Sequence, residues 1–413
     1  MIYKRFLIGL VFLTTTFAIA QEGTTSPYSF YGIGLQKFRG TMENRAMGGL
    51  GVFSDSIHLN LQNPAAYSEL RLINFSIAAS YQLSHQSNID NSQRNETISL
   101  DYLALGIPIG KLGVGFGILP NTAVGYHFLS QLDNSVTEYM GNGGLNRVYF
   151  SAGYKILPYL SLGIEGGYNF GKIENSSISQ QTDVQYGTRI VDHTEISGFN
   201  LNFGVIYKKT IAQNLELNGT VTYSPGLSHT SRNLRRLSTV SIRTSGISTR
   251  DQREIERPDT EFTAPSSYSI GLGISHPKNW GVGIEYSNQQ LSEFNNTPFQ
   301  TVNTEFKDAS KYRIGGFYIP EYNSFNSFFK RIVYRAGFRY EETGINIDNN
   351  AINEFGISFG FGIPMVRSFS NINFGFEIGQ RATKNHGLIQ ENFFNAIISF
   401  SLNDLWFEKR LFD

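Results

Sequence analysis

The sequence predicts an all-β chain: a fourteen-stranded antiparallel transmembrane barrel of the outer-membrane kind, with an N-terminal hatch or plug in its lumen. Three observations predict it. The first twenty residues read as an export signal. Most of the remaining chain alternates apolar with small or polar residues at period two. The connections between the alternating stretches are short and long by turns.

The signal is explicit. Lys4 and Arg5 precede an apolar run from Phe6 to Phe17, and Ala18-Ile19-Ala20 supplies an A-x-A cleavage site. The run is too short to span a bilayer as a helix, and no later stretch reaches the necessary apolar length. Three parts are expected: a signal peptide at 1–20, an N-terminal segment with a luminal hatch at 21–70, and a barrel at 71–413. The expected location is the outer membrane of a Gram-negative-type bacterium. Composition agrees, since 42 Gly, 33 Phe and 22 Tyr accompany only 16% charged residues in 413. Thirty-four basic residues balance 34 acidic ones, so no global field favours nucleic acid. The absence of cysteine excludes disulfides, thiolate metal sites, a thiol nucleophile and a lipoprotein anchor.

The alternation is plainest near the C-terminus. Phe355, Ile357, Phe359, Phe361 and Ile363 are interleaved with Gly356, Ser358, Gly360 and Gly362, as a strand with one lipid face requires. Leu112, Val114, Phe116 and Ile118 alternate with glycines, and Leu160, Leu162 and Ile164 with Ser161, Gly163 and Glu165. Strands are predicted near 72–84, 95–107, 111–128, 146–156, 159–174, 190–208, 213–229, 264–275, 279–290, 308–318, 330–342, 350–363, 370–381 and 391–404. Links after even strands are mostly short, as in Pro108–Gly110, with Glu321–Phe329 the longer exception. Links after odd strands are long and polar, among them Ser130–Asn146, Glu174–Arg189 and Ser228–Phe262. Short periplasmic turns and long outer loops are the barrel asymmetry. A closed barrel also leaves no unpaired strand edge in lipid.

A fourteen-stranded lumen is wider than wall side chains can fill. Gly40–Leu70, the longest early stretch without strand character, is the expected occupant; an ordered periplasmic extension is the alternative. Thr41 is placed to cap a short helix through Arg45 and Met47, Gly48-Gly49 break it, and Asn63-Pro64-Ala65 starts another turn. Strand parity puts Asp101, Glu165, Glu216, Glu285, Arg313, Arg335, Arg339 and Glu377 on the luminal face. There they serve either as an ion network that sets register and holds the plug or as contacts for a ligand's head group. Pro120-Asn121 interrupts the strand at 111–128. Proline cannot donate to the ladder, so it marks either a bulge with a lateral gap or a strand end followed by an inward loop. Ser228–Phe262, with seven arginines and five acids, reads as a solvated outer hairpin or as a surface for anionic lipid headgroups or a protein partner. No H-E-x-x-H, G-x-S-x-G or P-loop occurs and the seven histidines are scattered, so no catalytic residue, metal site or cofactor is expected.

Ser26-Pro27-Tyr28-Ser29-Phe30-Tyr31-Gly32-Ile33-Gly34, Arg45-Ala46-Met47-Gly48-Gly49 and Asn63-Pro64-Ala65 resemble the hatch of the FadL/TodX-type outer-membrane transporters. Leu105–Gly115 looks like a periplasmic turn of that family, and Phe400–Phe407 like a barrel-assembly signal followed by a short charged tail. The resemblance implies the fourteen-stranded barrel, a luminal hatch and, for transport members, passive uptake of hydrophobic compounds such as long-chain fatty acids. Uptake in those members ends at a lateral exit at a kinked third strand, where Pro120-Asn121 falls. Accessory barrels of the PorV type, subunits or escorts in secretion or barrel-assembly complexes, look similar. The implied partners are outer-membrane lipid and either a hydrophobic ligand or a protein of an outer-membrane complex.

Overall fold

The wall of the protein is inside-out relative to a soluble sheet, because its apolar face points outward to lipid and its face of small and polar residues points inward to a plug. The computed structural model describes residues 23–405 apart from 133, 244–245, 295–303, 325 and 366–367. The export signal at 1–20 and Trp406-Phe407 of the predicted assembly signal lie outside the described residues.

A two-residue strand, β1 (Leu35–Gln36), lies within the N-terminal segment. The wall then runs through β2 (Ile73–Ser87), β3 (Ser92–Ile109), β4 (Leu112–Leu132), β5 (Ser135–Leu157), β6 (Leu160–Gln181), β7 (Gly187–Ala212) and β8 (Leu215–Ser224). After the outer hairpin of β9 (Ser228–Arg243) and β10 (Gly246–Thr263), the wall resumes with β11 (Ser267–His276) and β12 (Trp280–Gln289). A short β13 (Thr304–Phe306) precedes β14 (Ala309–Tyr318), β15 (Val333–Ile347), β16 (Asn350–Pro364), β17 (Asn371–Arg381) and β18 (Gln390–Asp404). Neighbours pair antiparallel around the ring, and β18 closes on β2 along its whole length, from Gln390↔Ser87 to Asp404↔Ile73. Leaving out β1, β9, β10 and β13, fourteen strands form the wall, each where the alternation predicts one.

Parity holds through the wall. Phe150, Ile164, Leu272, Ile284, Phe359 and Ile378 face outward and are exposed, while Ser151, Asn373, Ser399 and Glu377 face the lumen and are buried. Two expectations change. The outer loops predicted at Ser130–Asn146, Glu174–Arg189 and Ser228–Phe262 are largely sheet: β4, β5, β6 and β7 continue into them, and β9 pairs with the outer half of β7. Beyond the bilayer no lipid imposes an apolar face, so these extensions lose the alternation that makes a strand legible. The second change is in the ring, which has one incomplete seam. β3 and β4 pair only from Ile109↔Leu112 to Leu103↔Ile118 and part above that level.

The segment from Gly23 to Leu72 is threaded into the lumen. Thr41 and Asn44 exchange hydrogen bonds at the start of a one-turn helix, α1 (Met42–Arg45). Gly48 and Gly49 follow with φ of +72° and +85°, left-handed conformations that glycine adopts without strain. Pro64 opens a 3-10 turn through Glu69, and the Asn63 carboxamide accepts from the Ala65 amide at 3.0 Å. The plug's apolar side chains Leu59, Leu61, Tyr67 and Leu70 pack on Ala78, Tyr102, Ala104, Leu119 and Tyr149 of the wall.

Wall glycines allow this approach at two nearly opposite places. A Cβ at Gly337 of β15 would lie 2.1 Å from the Met47 carbonyl carbon, and one at Gly163 of β6 would lie 2.2 Å from the Ala65 nitrogen. Gly337→Val and Gly163→Val are therefore expected to displace the plug and cost roughly 1–3 kcal/mol or more through overpacking. A lowered unfolding midpoint of the purified barrel would show this. The same change at Gly166, which has open space around its Cβ position, should leave the midpoint unmoved.

Candidate functional site

Any ligand or partner that uses the interior must deal with the plug and its fastenings. Irregular backbone in a lumen has amides that no ladder satisfies, and wall side chains take that role. The Gly48 amide donates to Ser358 Oγ at 2.8 Å, the Gly51 amide donates to Glu285 Oε2 at 2.8 Å, and the Asn63 carboxamide donates to the Val205 carbonyl at 3.1 Å. Arg39 reaches Glu165 at 2.5 Å, and Lys155 of the wall meets Glu69 of the plug at 2.6 Å.

The longest fastening is a ladder of alternating charge. Arg45 of the plug meets Glu377, 3.1 Å away. Glu377 also meets Arg339 at 2.6 Å, Arg339 pairs with Glu354, and Glu354 pairs with Arg381 at 2.5 Å. Arg381 meets Glu391 at 2.8 Å, and Glu391 accepts from the Ser26 hydroxyl at 2.6 Å. The ladder thus starts and ends on the N-terminal segment and climbs β15 to β18 between. Nearer the outer mouth, Phe30 packs edge-on against Tyr126, Phe128 and Tyr139.

Five of the predicted luminal charges, Glu165, Glu285, Arg313, Arg339 and Glu377, meet the plug or one another, Arg313 through Glu285. The other three do not. Asp101 stands at a bulge and accepts from Ser80 and Ser99 hydroxyls at 2.8 and 3.4 Å. Glu216 lies 3.5 Å from Lys208, which itself approaches the Ser54 carbonyl. Arg335 is buried at 7% exposure, has no carboxylate within 4.0 Å among the described residues, and leaves Nη1 without a partner. Sequence reading missed Arg39, Glu354, Arg381, Glu391 and Glu43, whose carboxylate accepts from the Asn373 carboxamide at 2.8 Å. Glu354 was within reach, since it shares the luminal parity of Gly356. Arg381 and Glu391 are the end residues of the predicted strands 370–381 and 391–404, and they face each other across β17 and β18.

The strand of Pro120 runs on as part of β4, with a register shift against β5 between Pro120 and Thr122. Above this point β4 turns from β3 and pairs with β1 of the plug, Leu35↔Ala123 and Gln36↔Thr122. The Lys37 amide continues the pairing onto the Asn121 carbonyl at 3.0 Å. Arg147 holds the kink, with Nη2 donating to Asn121 at 3.1 Å and Nε to Asn169 at 2.8 Å. Two spaces meet here. A luminal cavity of about 440 Å³ carries Arg39, Arg147, Arg313, Glu285 and Glu377 on its walls. An outward groove of about 750 Å³ lies beside Pro120, between Ile98 and Leu100 of β3 and Tyr168 and Phe170 of β6. Lys37, Thr122 and Ala123 line both. No cluster of metal-ligating side chains occurs among the described residues.

At the short-turn end the plug closes on itself. His58 Nδ1 lies 2.7 Å from Asp55, and the Ile57 and His58 amides donate to the same carboxylate. Burial works against a charged imidazole, but the Asp55 carboxylate outweighs it and raises the His58 pKa. Burial likewise opposes the Asp55 charge, and His58 with the two amides more than reverses it, so the Asp55 pKa is lowered.

These features define a class: a plugged, fourteen-stranded outer-membrane barrel of the FadL type, with an incomplete ladder at one seam. Residues 1–413 match the BamG family, and the chain belongs to it. No curated protein matches the sequence. Among solved structures the chain is similar to the Pseudomonas putida toluene transporter TodX at 15% identity, covering 89% of this chain and 100% of that one with a TM-score of 0.62. It is also similar to the Ralstonia pickettii toluene transporter TbuX at 14% identity, with 89% and 99% covered and a TM-score of 0.58. A Pseudomonas aeruginosa FadL homologue is similar at 10% identity, with 90% and 98% covered and a TM-score of 0.55.

Two predictions follow from the fastenings. Glu377→Ala leaves Arg45 and Arg339 buried without this carboxylate, and is expected to cost about 3–5 kcal/mol in denaturant unfolding. Losing Arg45 as well should cost less than the two single changes added together. For Asp55 and His58 the sign follows from the two shifts. The histidine's contribution is full below about pH 6.5 and is lost as pH rises through its raised value. The aspartate's contribution is present above about pH 3.9 and is lost as pH falls through its lowered value. Because Asp55 is half exposed, the whole effect is at most about 1 kcal/mol. Asp55→Asn should therefore speed amide exchange at Ile57 and His58 between those limits, and should do so much less at alkaline pH.

Proposed function

We propose that this protein is a non-conducting accessory barrel in the outer membrane of a Gram-negative-type bacterium, working through its outer and periplasmic surfaces as a subunit of a larger outer-membrane assembly. The observation that carries the reading is the plug fastened to both sides of the wall. Arg39 pairs with β6, Arg45 pairs with β17, and the Gly51 amide is held on β12. A channel needs a plug that moves, and moving this one would take the arginine from buried Glu165 and one donor each from buried Glu377 and Glu285. The surfaces offered to a partner are the β9–β10 hairpin and the connection between β14 and β15, where Phe328 and Phe329 are exposed.

A second reading, passive uptake of small hydrophobic molecules, draws on one observation: the luminal cavity and the outward groove share Lys37, Thr122 and Ala123. It requires only β1 to part from β4. Long-chain fatty acids and monoaromatic hydrocarbons are the ligands to try.

The accessory reading predicts near-zero conductance in planar bilayers and recovery in a larger complex after gentle extraction of the outer membrane. It also predicts that shortening the β9–β10 hairpin, or replacing Phe328 and Phe329 by serine, releases the barrel from that complex while leaving it folded. A lone barrel in mild detergent that binds fatty acid or toluene would replace this reading with the second.

A further inference from the structure

We propose that the luminal cavity binds a small phosphorylated sugar, with its phosphate on Lys37 and Arg147 and its hydroxyls on the carboxamide and hydroxyl side chains of β7, β8 and β11.

The charge on the cavity wall does not balance. Eight lysine and arginine side chains among the described residues line the space. Six have a carboxylate within 4.0 Å, as Arg39 has Glu165 and Lys311 has Glu341. Lys37 and Arg147 have none among the described residues. These two stand together at the kink. The Lys37 amide donates to the Asn121 carbonyl at 3.0 Å, and Arg147 Nη2 donates to the carboxamide oxygen of the same residue at 3.1 Å. Arg147 Nε donates to the Asn169 carboxamide oxygen at 2.8 Å, and the Asn169 nitrogen lies 2.9 Å from His229 Nε2. Neutral carboxamides therefore aim the guanidinium without cancelling its charge, and its Nη1 makes no hydrogen bond among the described residues. Two such cations facing one space suit an oxyanion that takes several charge-assisted hydrogen bonds. A phosphate monoester carries about two negative charges at neutral pH and matches both, whereas a carboxylate would leave one cation over.

The neighbouring wall selects the rest of the ligand. Asn200, Asn202, Thr222, Ser224 and Ser269 line the same cavity. Arg147 pairs in register with Asn169, and Asn200 pairs with Gly167 two residues away, so the three side chains stand on adjacent strands. Asn200 Oδ1 is buried and accepts no hydrogen bond among the described residues. The Thr222 and Ser269 hydroxyls share one hydrogen bond at 3.0 Å. Carboxamides and hydroxyls both donate and accept, as a sugar hydroxyl does. An acyl chain or an aromatic hydrocarbon would take water from these groups and from two cations and return no hydrogen bond. The space of about 440 Å³ is of the size of small-molecule sites, about 300–1,000 Å³. A free sugar phosphate and the phosphorylated headgroup of an outer-leaflet glycolipid share this chemistry. The inference does not rest on the accessory reading, because a barrel that conducts nothing can still hold a ligand.

The test is calorimetric titration of the purified barrel, reconstituted in phosphatidylcholine, with glucose 1-phosphate and with glucose. Glucose 1-phosphate is expected to bind the more tightly, and raised salt to weaken it. Lys37→Gln and Arg147→Gln should each weaken it about tenfold or more, as the loss of a charge-assisted hydrogen bond does. Arg147→Lys keeps the charge, loses the fork and should fall between. Lys172→Gln, an exposed position that lines the outward groove and not the cavity, should leave the affinity unchanged. Arg147 also supports the bend, so Lys37→Gln decides the matter if Arg147→Gln fails to fold. Lipid A added to the bilayer separates the two sources: it abolishes glucose 1-phosphate binding if the glycolipid headgroup is the occupant and leaves it unchanged if the free sugar is. No binding of glucose 1-phosphate in phosphatidylcholine, glucose binding as tightly, or an affinity unchanged in Lys37→Gln would overturn the proposal. Conductance and complex recovery read the accessory function and the titration reads the site, so either can fail without the other.

Discussion

Everything inside the barrel depends on one mismatch: fourteen strands enclose more space than their own side chains fill. The chain resolves it with its own N-terminal segment, and the wall is shaped for that segment. Small residues let the plug backbone touch the strands at Gly163 and Gly337. Carboxylates and hydroxyls meet amides that have no ladder partner, as Glu285 does for Gly51 and Ser358 for Gly48. The Arg45-to-Ser26 ladder adds little net energy for its size, since desolvating each ion offsets much of the attraction. What it adds is uniqueness. A shift of the plug by one residue would strand several buried charges at once, so one position of the segment is strongly preferred.

The seam between β3 and β4 is the place where this logic meets the opposite demand. A strand edge in lipid must be covered, because acyl chains offer no hydrogen bonds. Two irregularities coincide there, the extra residue Asp101 in β3 and the register shift at Pro120 in β4. Together they split the wall, and β1 supplies from inside the pairing that β3 no longer gives β4. Arg147, through Asn121 and Asn169, makes the bend a built feature and not a loose end. The plug is therefore part of the wall at this one point.

Lipid made the wall legible in the sequence. Where a strand crosses the bilayer, every second residue must be apolar, so Phe355–Ile363 and Leu112–Ile118 declare themselves. Outside the bilayer that pressure ends, which is why β9 and β10 read as loop and why Arg381 and Glu391, at the ends of their predicted strands, were not read as luminal. Inside, parity identified Glu165, Glu285, Arg339 and Glu377 as luminal but did not name their plug partners. Arg39 lies in irregular backbone and Glu43 in a single helical turn, so neither has a period to read, and their positions follow from the three-dimensional path of the segment. Arg335 shows the limit of parity from the other side: it points inward as predicted, yet has no carboxylate within 4.0 Å among the described residues.

The central claim is that residues 40–70 are as much a fixed part of the barrel as its strands. Amide hydrogen exchange on the barrel reconstituted in lipid tests it most directly. The account predicts that the amides of Gly48, Gly51 and Ala65, each held by an oxygen of the wall or plug, exchange as slowly as those of β15 and β16. Rapid exchange of these three amides in a barrel whose strands remain protected would contradict it.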